Sequence, residues 1–574
     1  MTDFDYIIVG GGAAGCVLAN RLSAEPSIRV LVCEAGPDIR DGETPPQILD
    51  SFAARAFLDP RFLWNDLEVT TDANAPHGNA GPPARKRKYE QARVLGGGSS
   101  INGQLANRGA PWDYDEWGKR GAAGWSWDTV LPYFKKLEHD FDFDGPLHGT
   151  SGPMPIRRIF PHLWAEHAKA MAEGFKHIGF DYVEDQNGEF RDGYHPFAIN
   201  NLYDRRVPAA IAYLTPTVRQ RPNLSIRTDT TVTGLLFQGE RCVGVNVLQD
   251  GHTQEVRATR EVIVCCGAIY TPAVLLRAGI GPAAELQAHG ITVRRDLPGV
   301  GKRLMDHPSV ALGAFIKPHA RLNGKTRRHL LVGLRFSSGH PDAPQGDMAV
   351  SVSTKAAWHA VGEQMASVTT WVNKTFSEAG EVTLASADWR TPPRVDFRLL
   401  HDRRDVERMM AALRRLRGVF DAPSMKATVE DPFAASFSDK VRQVSLITRA
   451  NAFKTAVLAR LLDGPLALRR FLFRKLILET PPLDELLADE QGLEAFIRRA
   501  AVGVWHASCS CRMGAPTDPM AVTDPQGRVY GVPGLRIADA SLFPVIPSAN
   551  VHLSVLMVAE KIADEMLADH RAST

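Results

Sequence analysis

FDYIIVGGGAAGCVLANRLSAEPSIRVLVCEAG, residues 4–36, contains a strand, a glycine turn, a helix and a second strand ending on an acid. Phe4 to Val9 is the short, mostly apolar run that a buried parallel strand needs, and GGGAAG at Gly10 to Gly15 satisfies G-x-G-x-x-G. Gly10 permits the tight turn, Gly12 lets the backbone approach a pyrophosphate, and Gly15 lets the helix through Arg21 pack on the strand. Ala13 and Ala14 open that helix, whose free N–H groups and positive dipole end attract phosphate. Glu34 stands nineteen residues after Gly15, where an acid accepts hydrogen bonds from a ribose, and its charge disfavours a 2′-phosphate. The site is therefore a dinucleotide site, although the motif alone does not separate FAD from NAD.

The chain's 574 residues exceed what one core needs, so two or more domains are expected. A formal charge of +2 gives no basic surplus for nucleic acid. The first strand starts close to Met1, so no cleavable signal is expected ahead of it. No apolar run is long enough to span a bilayer, and a cytoplasmic location is expected. Seven cysteines, an odd number with several inside apparent strands or helices, suit reduced core thiols. Cys509 and Cys511 have no His/Cys cluster at metal-ligand spacing, so no metal is expected.

Farther along, RVLGGGSSINGQLANRG at Arg93 to Gly109 is dense in small residues that can lie against a planar or anionic group. EVIVCCGAIYTPAVLLRAGIGP at Glu261 to Pro282 is another strand, turn and helix, and LPGVGKRLMDHP follows at Leu297 to Pro308. VWHASCSCRMG lies at Val504 to Gly514, and GLRIADASLFPVIPSANVHLSVLMVAEKIAD at Gly534 to Asp564.

In this order these segments resemble the glucose–methanol–choline (GMC) family of FAD-dependent oxidoreductases over essentially the whole chain, and within it the 5-hydroxymethylfurfural and aryl-alcohol oxidases. The resemblance implies an α/β fold in which a Rossmann-like FAD-binding domain (residues 1–155, 222–312 and 502–574) is interleaved with an antiparallel-sheet α+β substrate domain (156–221 and 313–501). It also implies cofactor contacts at Arg93, Gly97, Gly98, Ser99, Asn102, Val232, Asp539 and Ala540; an acid capping a turn is the competing explanation for Asp539. Members that tether FAD through histidine carry it where this chain has Ile101, so noncovalent FAD is expected. The alternation of apolar and polar residues in 224–267 reads as hairpin strands supporting the antiparallel sheet, and 401–420 shows helical spacing.

Oxidising an alcohol by hydride transfer needs a base for the hydroxyl proton, because charge developing on oxygen drives hydride toward the flavin. His506, in VWHAS, aligns with the family's catalytic histidine. The family's second residue, a His or Asn that hydrogen-bonds the substrate oxygen, falls on Asn550 by counting back from Ala559–Glu560–Lys561, with His552 two residues away; Asn550 is preferred, since an amide orients a hydroxyl without competing for its proton. A helix is expected to start near Asn550, with its positive end toward the reduced flavin's charge. Trp505 is read as an apolar wall against an aromatic or furan ring, or as plain core packing. The family's commoner form has proline, glycine and threonine within 507–511, where this chain reads ASCSC, and Cys509 replacing a glycine is expected to restrict the turn.

These readings give a small-molecule alcohol or an aldehyde hydrate as substrate, and oxygen or a quinone-like carrier as electron acceptor. A choline-type dehydrogenase and a non-redox flavin-bound hydroxynitrile lyase are the alternatives. Residues 452–478, with six basic residues against one Asp and a break at Gly464–Pro465, read as a lid or domain-packing helix pair, with peripheral membrane or subunit contact as the other reading.

Overall fold

The computed structural model describes residues 4–71, 86–322, 324 and 326–573. The strand Phe4–Val9 lies between Val30–Cys33 and the end of a long strand, His252–Val264, parallel to both. Leu224–Arg227 extends the sheet beyond Val30–Cys33, and Leu535–Ile537 extends it beyond Val264, again in parallel. Parallel strands need both faces covered, and the helices Ala13–Leu22 and Val551–Ser573 pack against each other over one of them. Gly15 makes the first helix's approach possible, because a Cβ there would stand 2.2 Å from the Gly10 carbonyl oxygen.

The hairpin strands expected in 224–267 form, but they build on the nucleotide sheet and not on the substrate sheet. Thr231–Gln238 pairs antiparallel with Arg241–Gln249, which pairs with the first half of His252–Val264. The second half of that strand continues into the parallel sheet. One strand thirteen residues long thus serves two sheet geometries, which alternation of side chains alone cannot reveal.

The antiparallel sheet is made by Pro308–Ile316, Met365–Val372, Met348–Ser353, Leu330–Phe336 and Gly193–Pro196, with Val429–Ala435 and Val502–Gly503 along its edge. Pro308–Ile316 runs across the expected boundary at 312, and Val502–Gly503, the first residues of the stretch expected in the FAD-binding domain, pairs with it. Helices Glu166–His177 and Arg403–Arg417 cover one face; the latter buries Val406, Met409, Leu413 and Leu416 at helical spacing. The other face is turned to a cavity: Ser351, Thr369 and Trp371 line it, while Val350, Val352, Val368 and Val372 enter the core, the period-two alternation of a strand.

The short strand Glu138–Asp140 carries part of a buried ion cluster. Arg108 grips Glu138, Arg158 grips Asp140 and Asp185, and His148 sits among the three acids. Burial alone would lower the His148 pKa, but Asp140, Asp185 and Glu138 raise it to about 10. Glu138, Asp140 and His148 lie close enough to share a metal ion; the two arginines already supply their counter-charge. All seven cysteines are free.

Candidate active site

A cavity of about 620 Å³ runs from the glycine turn to the start of the C-terminal helix. At one end it is lined by Gly10, Gly12, Ala13, Ala14 and Glu34. Gly10 has φ +99°, and a Cβ there would meet the Cys265 carbonyl oxygen at 2.7 Å. The helix beginning at Ala13 has no side-chain cap and no acid in its first turn, so its free N–H groups suit an anion. Glu34 accepts from the Gly11 and Gly36 N–H groups at 2.8 Å each. Burial raises its pKa while these donors oppose the rise, and each carboxylate oxygen keeps a second lone pair for a ribose hydroxyl. A glycine rim, an uncapped helix start and a buried acceptor in sequence along one cavity fit a dinucleotide.

Gly97, Gly98, Ser99, Ile101, Asn102, Val232, Asp539 and Ala540 also line the cavity. The Ser99 hydroxyl is occupied, donating to the Gly96 carbonyl and accepting from Ala209 N–H. Asn102 Oδ1 accepts from Gln104 N–H and Arg206, leaving its amide NH₂ for a ligand. Asp539 accepts from Gly267 N–H, the Thr271 hydroxyl and Ser541 N–H, so it caps the helix Gly267–Arg277 and the turn Ala540–Leu542 while also facing the cavity. Gly15 and Arg93 are not in the wall. Gly15 packs beneath the turn, and the Arg93 guanidinium lies over the Trp64 ring, 5.2 Å from its centre.

At the far end the sequence brings His506 and Asn550 together: the Asn550 amide nitrogen is 2.8 Å from His506 Nε2. His506 Nδ1 is 2.9 Å from Nδ1 of His307, whose Nε2 is 3.1 Å from the Pro547 carbonyl oxygen. A carbonyl only accepts, so His307 Nε2 carries a proton. In the neutral ring its Nδ1 is then an acceptor, and His506 must donate from Nδ1. That leaves His506 Nε2 unprotonated, facing Asn550 and the cavity. Burial lowers the His506 pKa to about 3 and holds His307 well below its ordinary value. Asp306 accepts backbone N–H groups from His307, Val504 and His506 on one oxygen, tying the two histidine segments to one anchor. Burial pushes its pKa up, to about 7.

Asn550 immediately precedes the helix Val551–Ser573, whose first turn (Val551, His552) lines the cavity. The His552 pKa is lowered to about 4 by burial, and Asn550, not His552, touches His506. Trp505 lines the cavity yet is 41% exposed, in the left-handed region at φ +60°. Its indole N–H donates to Glu90 at 3.1 Å, and Phe57, Tyr89 and Phe437 surround the ring. Its exposure and its place on the cavity are not those of a core residue. Cys509 also has positive φ, +73°, so the backbone keeps the glycine-like turn that the expected family residue would make without strain.

Sequence reasoning did not single out His307, Asp306 or Glu90. The first two lie in LPGVGKRLMDHP, where an acid and a histidine stand side by side; their role emerges only when that turn meets VWHAS in space.

The GMC oxidoreductase family model matches twice, its N-terminal part at residues 4–309 and its C-terminal part at 376–559. The chain is 43% identical to the 5-(hydroxymethyl)furfural oxidase of Methylovorus sp. (strain MP688), over 99% of each sequence. It is 31% identical to the oxygen-dependent choline dehydrogenase of Sinorhizobium medicae (strain WSM419), over 98% of this chain and 95% of the relative. Among solved structures, pyridoxine 4-oxidase from Mesorbium loti superposes with TM-score 0.81 at 26% identity, covering 98% of this chain and 99% of that one. A fungal aryl-alcohol oxidase shares the fold with TM-score 0.73 at 20% identity, both chains fully covered.

Proposed function

The chain belongs to the GMC oxidoreductase family of FAD-dependent alcohol oxidoreductases, and from that premise we propose that it oxidises primary alcohols borne on an aryl or furan ring to aldehydes. The observation that carries this reading is the placing of His506 Nε2, which the His307–Pro547 contact leaves as an acceptor, 2.8 Å from the Asn550 amide nitrogen in a dinucleotide cavity.

When bound, FAD supplies the hydride acceptor; Gly10, Gly12, Ala13, Ala14, Glu34, Gly97, Gly98, Asn102, Val232 and Ala540 would hold it. On binding, the alcohol hydroxyl takes the place of the Asn550 N–H at His506 Nε2, which then takes the hydroxyl proton as general base. The Asn550 amide donates to the same oxygen and so fixes which way the carbinol C–H points. His307 does not touch substrate; by accepting from His506 Nδ1 it keeps the proton off Nε2. Trp505 forms a wall for the ring, supported by the aromatic side chains around it. The aldehyde hydrate presents the same O–H and C–H pair, so the same two residues serve a second oxidation to the acid. The acceptor is oxygen or a quinone-like carrier.

Ile101 at the tethering position supports noncovalent FAD, and the free thiols, six of the seven buried, support a cytoplasmic location. No helix among the described residues is long and apolar enough to cross a membrane. Anaerobic mixing with vanillyl or hydroxymethylfurfuryl alcohol tests the reading. Bleaching of the bound flavin is expected, and peroxide formation in air identifies oxygen as acceptor. A flavin left oxidised by every alcohol, together with cyanohydrin cleavage, would replace this reading with a lyase.

A further inference from the structure

Eleven of the fifteen large hydrophobic side chains exposed among the described residues fall between Val441 and Leu476. The helix Arg449–Leu462 turns Thr455, Ala459 and Leu462 inward and leaves Phe453, Val457 and Leu461 outward, one above another at spacings of four. The next helix, Leu466–Leu472, presents Leu466, Leu468 and Phe471, and Leu476 follows in a π-helical turn. Phe453 is 72% and Phe471 58% exposed. Single exposed hydrophobic residues are ordinary; a concentration of them in one segment marks a surface that is covered in use.

The charges say by what. Residues 439–478 hold nine Lys and Arg against two Asp. Arg442, Arg469 and Arg470 are paired with Glu90, Glu430 and Asp431 on the body of the protein. Arg449, Lys454, Arg460, Arg474 and Lys475 have no acid partner among the described residues, and they stand among the outward apolar side chains. Unpaired cations interleaved with exposed apolar groups match the interfacial plane of an anionic bilayer, where apolar side chains enter the acyl boundary and cations meet phosphate. A two-fold contact with a second copy would bring the same basic face against itself and repel.

We propose that the helical arm 439–478 docks the enzyme on anionic phospholipid. Its inner side reaches the cavity mouth: Arg442 Nη1 is 2.5 Å from Glu90 Oε1, and Glu90 Oε2 accepts the indole N–H of Trp505. The Trp358 indole also donates to the Ser445 carbonyl, fastening the arm at that end. Docking therefore sets the opening beside Trp505 close to the lipid headgroups, where apolar alcohols and lipid-dissolved carriers concentrate.

Docking needs no turnover, so it is tested apart from the reaction. The full-length, FAD-loaded protein is floated with phosphatidylcholine vesicles with and without phosphatidylglycerol at roughly a third of the lipid. Binding to the anionic vesicles is expected to be at least about tenfold tighter and to weaken with salt. The pairs Phe453→Ser/Phe471→Ser and Lys454→Glu/Arg460→Glu should each lose about tenfold in vesicle binding, with melting temperature and turnover of a water-soluble alcohol unchanged. Equal affinity for both vesicle types, or doubly substituted proteins that bind as wild type, overturns the proposal. So does a dimer, measured by light scattering, that both pairs split into monomers, because the arm would then cover a second copy.

Discussion

His307 and His506 face each other through their Nδ1 atoms, 2.9 Å apart with ring planes at 86°, so a single proton bridges them. Its ownership is decided at the other side of His307, where the Pro547 carbonyl demands a donor. Replacing His307 by Leu removes the acceptor, and His506 then carries its proton on either nitrogen. Flavin reduction by alcohol should fall roughly 10- to 100-fold with FAD content unchanged. His307→Gln, which restores an acceptor oxygen, should recover much of the loss. Equal reduction rates in His307→Leu and wild type, measured by stopped flow, would remove this residue from the positioning chain.

His506→Ala should keep its yellow colour and lose roughly 10²- to 10⁴-fold in flavin reduction, the range for a general base. Asn550→Ala, which keeps the base, should lose less. The pH dependence follows from burial: the imidazolium is disfavoured, so the neutral base persists as pH falls below 6.5. The acid limb of kcat/KM in free enzyme is expected below pH 6.5. A limb at or above 6.5 that vanishes in His506→Ala would show that the ring is better solvated than its surroundings allow.

The parallel nucleotide half was legible because its determinants are local. The strand Phe4–Val9, the turn to Gly15 and Glu34 follow one another within a few dozen residues, each with a single physical reading. His506 and Asn550 were legible through motif resemblance, and the structure brings them into contact. What sequence did not show depends on register and on distant partners. The strand His252–Val264 changes neighbours midway, and His307 meets His506 across 199 residues of chain. The same limit applied to residues 452–478, where composition left a lid or packing pair and a membrane or subunit contact all open; the outward placement of Phe453 and Phe471, on which the membrane proposal rests, depends on how the helices pack.

His167, on the helix Glu166–His177, is fully buried with neither ring nitrogen partnered among the described residues. Its pKa is lowered to about 4 by burial alone. His167→Leu removes two unsatisfied polar atoms and should stabilise the fold by about 1–3 kcal/mol at neutral pH. The sign below neutrality is fixed. The unfolded chain binds a proton below pH 6.5 that the folded chain refuses, so wild type loses about 1.4 kcal/mol per pH unit from there down to about pH 4. The gap between variant and wild type in denaturant melts should widen on acidification; a gap that narrows would mean the ring is charged in the native state.

Gly97 and Gly98 are adjacent in the cavity wall, yet substitution should act on different properties. A Cβ at Gly97 would stand 2.8 Å from Gly12 Cα, on a backbone at φ +54°. Gly97→Ala must push the two glycine loops apart and adopt a conformation costing about 1–2 kcal/mol, so both melting temperature and flavin retention should drop. At Gly98 nothing lies within 4 Å of the added methyl, and the residue borders the cavity. Gly98→Ala should melt like wild type once flavin is stripped from both, and lose affinity only when FAD is offered. Absorbance ratios of flavin to protein after gel filtration, set beside melts of the stripped proteins, separate the two effects. Full FAD retention in Gly98→Ala would mean that the cofactor does not lie against this loop, and the cofactor path through residues 97–102 would have to be redrawn.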